Sequence, residues 1–311
     1  MSKSTKTNNS AFLKKSAVIA SISVAVLLSA IKLLAALYTD SLAILSSFVD
    51  SITDVASSLI TLFAVYISLK PANCDYRYGF GKTEAVSAIL QAAFISVSAA
   101  FIVYDGIDRI FHPVELNQTG VGIAVMCLCM FITLLLILFQ KMVAKKTSSL
   151  AIIADSAHYT ADLATNFAII SSLAVSNYFN LYWFDTMAAV FVALYLFYQA
   201  YDLGKNSFYM LVDKELDEKI RTDIGNLIIQ TSGVMGFHDL RTRDLGGKYI
   251  FEFHLEIDGN LSLYKAHEIA ENVEKNIIKK YPSAQIIIHE DPFGIEENRL
   301  DNSLPPRCQK V

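Results

Sequence analysis

Charged residues and cysteines are scarce in this chain of 311 residues. Only 18% of the residues are charged, whereas 53% are hydrophobic, a balance that is unusual for a soluble protein. No C-x-x-C pair occurs among the four cysteines, so a disulfide framework is not expected. The formal net charge is −4, and the sequence has no stripe of basic residues, so a nucleic-acid partner is not expected.

Long apolar runs account for the hydrophobic excess. About 20 consecutive apolar residues can cross a bilayer as a helix. Six runs reach this length, which predicts an α-helical membrane domain at 16–208 after a polar N-terminal tail at 1–15. Charges become frequent beyond Phe208, which predicts a soluble domain at 209–295 and a polar tail at 296–311. The predicted spans are residues 16–38, 41–69, 83–111, 118–141, 150–177 and 184–208.

Lysine and arginine collect on one side of the predicted membrane. The loops on the other side contain only Arg109. Because positively charged loops favour the cytoplasmic side, we predict a multi-pass protein of the cell membrane with both termini and the soluble domain in the cytoplasm. The residues concerned are Lys3, Lys6, Lys14 and Lys15 in the N-terminal tail, and Lys70, Arg77, Lys82, Lys141, Lys145 and Lys146 in the loops after the second and fourth spans.

Ionisable residues interrupt two of these spans. Asp50 and Asp54 are four residues apart in the second span, as are His158 and Asp162 in the fifth, so each pair lies on one helical face. A lone charge at mid-bilayer costs about 2.5–3.5 kcal/mol on insertion scales. Either these residues form hydrogen bonds between helices or near the water interface, or they bind a cation. Three carboxylates and one imidazole favour zinc, iron(II), cadmium or cobalt over calcium and magnesium.

The ligand set suggests a mechanism. Because a metal must displace protons from imidazole and carboxyl ligands, a carrier that exposes this site to each side in turn would exchange metal for protons. Asp155 lies one turn from the pair in the fifth span, either beside the transport pathway or as a helix N-terminal cap. Two other hypotheses are an intramembrane metalloenzyme and a membrane metal sensor. Four protein ligands without an H-E-x-x-H or G-x-S-x-G motif favour a transported ion over catalysis.

The soluble domain has the pattern helix, strand, strand, helix, strand, with the turn "LGGK" between the first two strands. Such an order indicates an α+β domain. Four of the six histidines fall in it, which is more than a structural role requires and predicts a second metal site. The remaining histidine outside both sites, His112, is predicted to be an ordinary loop residue. The candidate ligands of the soluble domain are His238, His254, His267, His289 and Asp291.

The quartet and the block "DSAHYTAD" resemble the cation diffusion facilitators, and especially their bacterial zinc and ferrous-iron efflux branch. The resemblance covers residues 11–294. It implies a homodimeric exporter that exchanges divalent metal for protons, with Asp50, Asp54, His158 and Asp162 as the transport site. It also implies a metallochaperone-like (ferredoxin-like) cytosolic domain whose histidines bind a pair of metal ions at the dimer interface, bridged by Asp291. Neither an enzymatic activity nor a prosthetic group is implied.

The loop after the second span departs from the family pattern. Relatives often carry aspartate and histidines there in a segment ending G-H-G-K, whereas this chain has "KPANCDYRYGFGK". The matching positions hold Asn73, Tyr76 and Phe80, so a loop-located metal site is not expected, although Cys74 and Asp75 are nearby. Lys82 is retained. The resemblance implies that it pairs with an aspartate just after the sixth span, Asp213, and steadies the dimer; otherwise Lys82 is an ordinary cytoplasmic-side anchor.

Overall fold

The structure, a computed structural model, describes residues 3–39, 42–111, 120–179, 183–295 and 299–303. His112 and Cys308 lie outside these ranges. The chain divides into two compact units, Met1–Phe208 and Tyr209–Val311.

The described part of the first unit is built from helices. Four of these are long and apolar enough to cross a membrane, over Asn9–Tyr38, Ser47–Ser68, Thr83–Tyr104 and Ala124–Thr147. That the fifth and sixth helices also span it stays a prediction. The helices are α1 (Lys3–Thr39), α2 (Leu42–Ser68), α3 (Thr83–Phe111), α4 (Gly120–Thr147), α5 (Leu150–Phe179) and α6 (Trp183–Leu211).

Helix α1 begins at Lys3, well inside the segment that the sequence assigns to a tail. The residues from Lys3 to Lys15 contain neither glycine nor proline, so no strong helix breaker separates them from the apolar span. The polar N-terminus is therefore a continuation of the first helix over its described length.

Polarity is inverted in this unit. Large apolar side chains such as Phe63, Phe101 and Phe191 are exposed, while Gln91 and Gln140 are buried. Alanines of α3, α5 and α6 form one core, and small side chains of this kind let helices approach closely. Polar side chains inside and apolar side chains outside are what a helix bundle in lipid requires, since lipid cannot satisfy polar groups.

A buried ion pair joins four helices at one end of the bundle. The Nζ of Lys14 lies 2.7 Å from Glu84 Oε1, and both side chains are nearly inaccessible. The hydroxyls of Ser68 and Ser149 also donate to the Glu84 carboxylate, at 2.9 and 2.6 Å. Ser149 precedes α5, and its Oγ accepts the Ile152 amide at 3.5 Å as an N-terminal cap. The cluster thus connects α1, α2, α3 and the start of α5.

The second unit contains a mixed three-stranded sheet in the order β1-β2-β3. Strands β1 and β2 pair antiparallel around a turn in which Gly246 and Gly247 have φ of 82° and 90°, the positive values that a tight hairpin needs. Strand β3 pairs parallel to β2, so a helix must connect them. The elements are α7 (Glu218–Ile229), β1 (Gly236–Asp244), β2 (Tyr249–Ile257), α8 (Leu263–Lys280), β3 (Gln285–Pro292) and α9 (Leu300–Ser303).

Helices α7 and α8 cover one face of this sheet. Phe251, Phe253 and Leu255 of β2 are fully buried against Ile228 of α7 and Val273 of α8. Because side chains alternate along a strand, the residues between them point to the opposite face. The α+β architecture predicted from the sequence is confirmed, and the face away from the helices is left for polar side chains.

The Lys14–Glu84 pair predicts a selective loss of stability. We expect Lys14→Met to lower the free energy of unfolding by about 3–5 kcal/mol, because it leaves a buried carboxylate without its cation. Thermal unfolding of the purified protein in detergent measures this. The matched control is Lys15→Met on the same helix, whose lysine is exposed; equal unfolding temperatures for the two variants would contradict the prediction.

Candidate metal centres

Three ionisable side chains of α2 and α5 converge in the first unit. The Nε2 of His158 lies 3.2 Å from Asp54 Oδ1 and 3.4 Å from Asp162 Oδ2. One ligand atom from each residue can be chosen so that all three lie within 4.8 Å of one another, which fits a single metal ion. The i, i+4 spacing in α5 places the last two on one face.

The surroundings of this group point to a ligand. His158 is 8% exposed, so its ring is withdrawn from solvent. The Asp162 Oδ2 atom is buried and, although it lies 3.4 Å from His158 Nε2, it accepts no hydrogen bond from the described residues. A buried carboxylate oxygen without a partner is unfavourable, and a cation at this position would satisfy it.

Asp50 is the member of the predicted quartet that the structure does not bring into the group. It lies one turn from Asp54 on α2 and is exposed. The i, i+4 spacing correctly puts both aspartates on one side of the helix, but it does not fix the side-chain rotamer of Asp50. Three of the four predicted residues are therefore together, with Asp50 adjacent.

Asp155 belongs to a separate buried network. Its carboxylate accepts hydrogen bonds from Ser21 at 2.5 Å, Gln140 at 2.5 Å and Thr61 at 3.3 Å. Helix α5 begins at Leu150, so Asp155 lies in its second turn and is not the N-terminal cap. Three donors from α1, α4 and α2 bind this carboxylate, which positions α5 one turn from His158.

Lys32 of α1 is a site residue that our sequence reasoning missed. Its Nζ donates to Ser51 Oγ at 2.7 Å and to the Ser47 carbonyl at 3.2 Å. Ser51 is 1% exposed and lies between Asp50 and Asp54 on α2. The signal was available, because a lysine within an apolar span is as unusual as an aspartate.

The second centre is produced by the strand register. His238 of β1 is opposite His254 of β2, which is opposite His289 of β3. The next row on the same face contains Glu256 opposite Asp291. These side chains lie on the face that the helices leave uncovered, so two adjacent rows bring three imidazoles and two carboxylates together.

Asp291 is at the centre of this cluster. Its Oδ2 lies 2.7 Å from His254 Nδ1 and 3.8 Å from His238 Nε2, and its Oδ1 lies 3.1 Å from His289 Nε2. Ligand atoms of His238, His254 and Asp291 lie within 4.8 Å of one another. His238 and Asp291 are buried while His289 is exposed. This arrangement places one carboxylate within reach of three histidines.

His267, the fifth predicted ligand, lies apart from the cluster within the chain. It is exposed on α8, 3.9 Å from Glu271 and 3.7 Å from Glu290. Helix α8 covers the opposite face of the sheet from His254, so His267 cannot reach the cluster of its own chain. Glu290 alternates with His289 and Asp291 and points toward the helix side.

Two residues that the sequence did not single out adjoin the second centre. Glu256 Oε1 lies 3.2 Å from His238 Nδ1 and also accepts a hydrogen bond from Arg299. The backbone amides of Leu300 and Asp301 donate to the carboxylate of Asp239 at 2.9 Å. Burial alone would raise the pKa of Asp239, but these amide hydrogen bonds outweigh it and hold the pKa below its ordinary value. Residues 299–301 are thus held beside the strand that carries His238.

Hydrogen bonds and a ring contact organise the loop after α2. The side-chain oxygen of Asn73 accepts the amides of Asp75 and Tyr76 at 3.1 and 2.8 Å, so it closes a turn. Tyr76 packs on Phe80, and Cys74 is exposed. These contacts give the loop side chains a structural role.

Of the predicted dimer pair, Lys82 is half-buried, and Asp213 lies 3.6 Å from Arg243 within its own unit.

Comparisons with known proteins agree with this division of the chain. A family model described as the cation efflux transmembrane domain matches residues 18–212. A model described as the cytoplasmic domain of cation efflux proteins matches residues 216–293.

Similar full-length proteins come from several bacteria. Protein p34 of Rickettsia rickettsii is 39% identical over 94% of this chain and 96% of its own length. The cation-efflux pump FieF of Shewanella oneidensis is 39% identical over 94% of this chain and 98% of its own length. Among solved structures, the metal-bound C-terminal domain of the CzcD transporter from Thermotoga maritima is 28% identical to this chain. The match covers 26% of this chain and 100% of that domain, with a TM-score of 0.25.

The second centre generates a binding prediction. In the full chain with the first centre disabled by Asp54→Asn and Asp162→Asn, we expect His254→Ala to weaken Zn²⁺ binding by about 10- to 100-fold or more, as for loss of a metal-site residue. Isothermal titration measures this affinity. Glu252→Gln is the matched control, since it removes an acidic residue two positions away on β2. Unchanged affinity in the histidine variant would show that the cluster does not hold the metal.

Proposed function

The chain belongs to the cation efflux family, the cation diffusion facilitators, and from this premise we propose that it exports a divalent transition metal, zinc, iron(II) or cadmium, in exchange for protons. The observation that carries the proposal is the convergence of Asp54, His158 and Asp162 between two helices. Two half-buried carboxylates around a buried imidazole are costly in an apolar bundle unless they bind a cation.

Asp50 completes the proposed transport site. Asp50 lies one helical turn from Asp54 on α2, and a rotation of its side chain brings a third carboxylate to the group. One nitrogen and three oxygens then surround the metal, which suits four-coordinate zinc and the related transition metals. His158 contributes the only nitrogen, so it is the residue that most distinguishes this site from an all-oxygen site for calcium or magnesium.

Protons are the proposed counter-substrate because ligands and protons compete. A metal binds carboxylate and neutral imidazole, so its arrival displaces any proton on these groups. Without metal, neighbouring carboxylates repel one another and favour protonation of at least one. Exposure of the site to each side of the membrane in turn then couples metal movement in one direction to proton movement in the other.

Direction and orientation rest on the family and on charge. The relatives described as cation-efflux pumps move cations out of the cell, and we infer the same direction here. The lysine-rich start of α1, the loop after α2 and the lysine-rich end of α4 favour the cytoplasmic side. We therefore place both termini and the second unit in the cytoplasm of a multi-pass membrane protein.

The second centre is proposed as a cytosolic regulatory site in a homodimer. His238, His254, His289 and Asp291 supply a ligand set within one chain. We infer that His267, which is exposed on α8, contributes from the partner subunit, and that the Lys82–Asp213 pair steadies the dimer. Metal bound across the interface would stabilise the conformation that binds it best, and so bias the transport cycle.

Two other functions are less well supported by the first centre. An intramembrane metalloenzyme needs an open coordination position and a general base beside the metal, whereas the four proposed ligands can close the coordination shell. A sensor that uses only the second unit leaves the buried group of α2 and α5 without a role. We therefore infer that the protein has no enzymatic activity and carries metal as cargo, with no prosthetic group.

Transport in liposomes tests the proposal. We expect purified protein to move Zn²⁺ or Cd²⁺ into liposomes loaded with a metal-sensitive dye, and Asp54→Ala or Asp162→Ala to reduce the rate at least 100-fold, because each removes a ligand. The control is Asp202→Ala, which replaces an exposed aspartate of α6.

The same liposomes test the exchange for protons. An inwardly directed metal gradient and a pH-sensitive dye trapped in the lumen report whether protons leave the liposomes as metal enters. Equal metal flux with and without a proton gradient would contradict coupling, whereas flux that survives both aspartate substitutions would contradict the site itself.

A further inference from the structure

We propose that Lys32 is an electrostatic positioning residue of the transport site, a fixed positive charge that weakens metal binding so that the metal can be released. The inference rests on the proposed function. It assigns a role to a side chain whose hydrogen bonds within the described part of the chain go to Ser47 and Ser51 and not to the proposed ligands.

The first step is the position of the ammonium. Lys32 lies seven residues before the end of α1 at Thr39, a place from which a lysine could extend toward the membrane surface. Its Nζ instead donates to Ser51 Oγ at 2.7 Å and to the Ser47 carbonyl at 3.2 Å. Both acceptors belong to the stretch of α2 that carries Asp50 and Asp54. The side chain is therefore held against the site.

The second step is the anchor itself. Ser51 is 1% exposed and Lys32 is half-buried, so the hydrogen bond holds the ammonium in a defined, partly buried place. Ser47, Ser51 and Asp54 lie at i, i+4 and i+7 on one face of α2, and Asp50 is next to Ser51, so the ammonium is held beside these carboxylates and interacts with them electrostatically. In an apolar bundle such an interaction is screened far less than at a surface.

The third step is the requirement of transport. Three carboxylates and an imidazole attract a divalent cation strongly in a medium of low dielectric constant. A transported ion must bind well enough to enter and weakly enough to leave. A fixed ammonium beside the carboxylates repels the metal and lowers the affinity without occupying a ligand position. Lys32 therefore favours turnover at the expense of affinity.

Lys32→Met tests this role because methionine keeps an unbranched apolar stem and removes the charge. We expect Zn²⁺ to bind about tenfold more tightly or better, and transport turnover to fall at least threefold because release slows. Lys32→Arg, which keeps the charge, should leave both quantities within about twofold of the parent. Binding is measured by isothermal titration at one fixed pH in the full chain, with the second centre disabled by His254→Ala and Asp291→Ala. Turnover is measured in dye-loaded liposomes.

Control variants separate this inference from the function on which it rests. Lys15→Met removes an exposed lysine of α1 and should change neither quantity. Asp54→Asn and Asp162→Asn should abolish the binding that the titration detects; if they do not, the transport site is wrong. If the aspartate variants do abolish binding, two results for Lys32→Met overturn only the role of Lys32. One is an unchanged or weaker affinity for Zn²⁺, and the other is tighter binding without slower turnover. A purely structural lysine would lower the unfolding temperature and leave the affinity unchanged.

Discussion

The cost of placing charges between apolar helices determines the arrangement of the first unit. Two buried carboxylates among its described residues are fully compensated. Glu84 has Lys14 and two hydroxyls, and Asp155 has three neutral donors. The group of Asp54, His158 and Asp162 differs, since a buried oxygen of Asp162 has no hydrogen-bond partner among the described residues. A bundle that satisfies its other buried carboxylates and leaves this oxygen open is suited to a cation that comes and goes.

The second unit reaches a similar result by a different route. Register, not helical spacing, places His238, His254 and His289 side by side on three strands. The hydrophobic alternation of β2 sends Phe253 and Leu255 to the helices, so His254 and Glu256 face the other way. The same constraint that builds the core therefore builds the cluster. Arg299 and the amides after it then fix the tail beside this face.

Much of this arrangement was predictable from local pattern. Apolar length predicts the helices, and the i, i+4 pairs single out Asp54, His158 and Asp162, which the structure brings together. The resemblance to cation diffusion facilitators is confirmed by the family models. What local pattern does not determine is the non-local geometry. The rotamer of Asp50 and the separation of His267 from its own sheet face do not follow from spacing. Lys32 was missed because we searched the spans for metal ligands, and an ammonium is not one. Asp155 remained ambiguous because its three donors lie on other helices.

The central claim is that metal and protons compete for one group of side chains between α2 and α5. It is tested most directly by counting the protons released when Zn²⁺ binds, using isothermal titration in buffers of different ionisation enthalpy, with the second centre disabled. Our account predicts that protons are released into the buffer on binding, and that both binding and release disappear with Asp54→Asn and Asp162→Asn. Zn²⁺ binding to these helices without any proton release would contradict it.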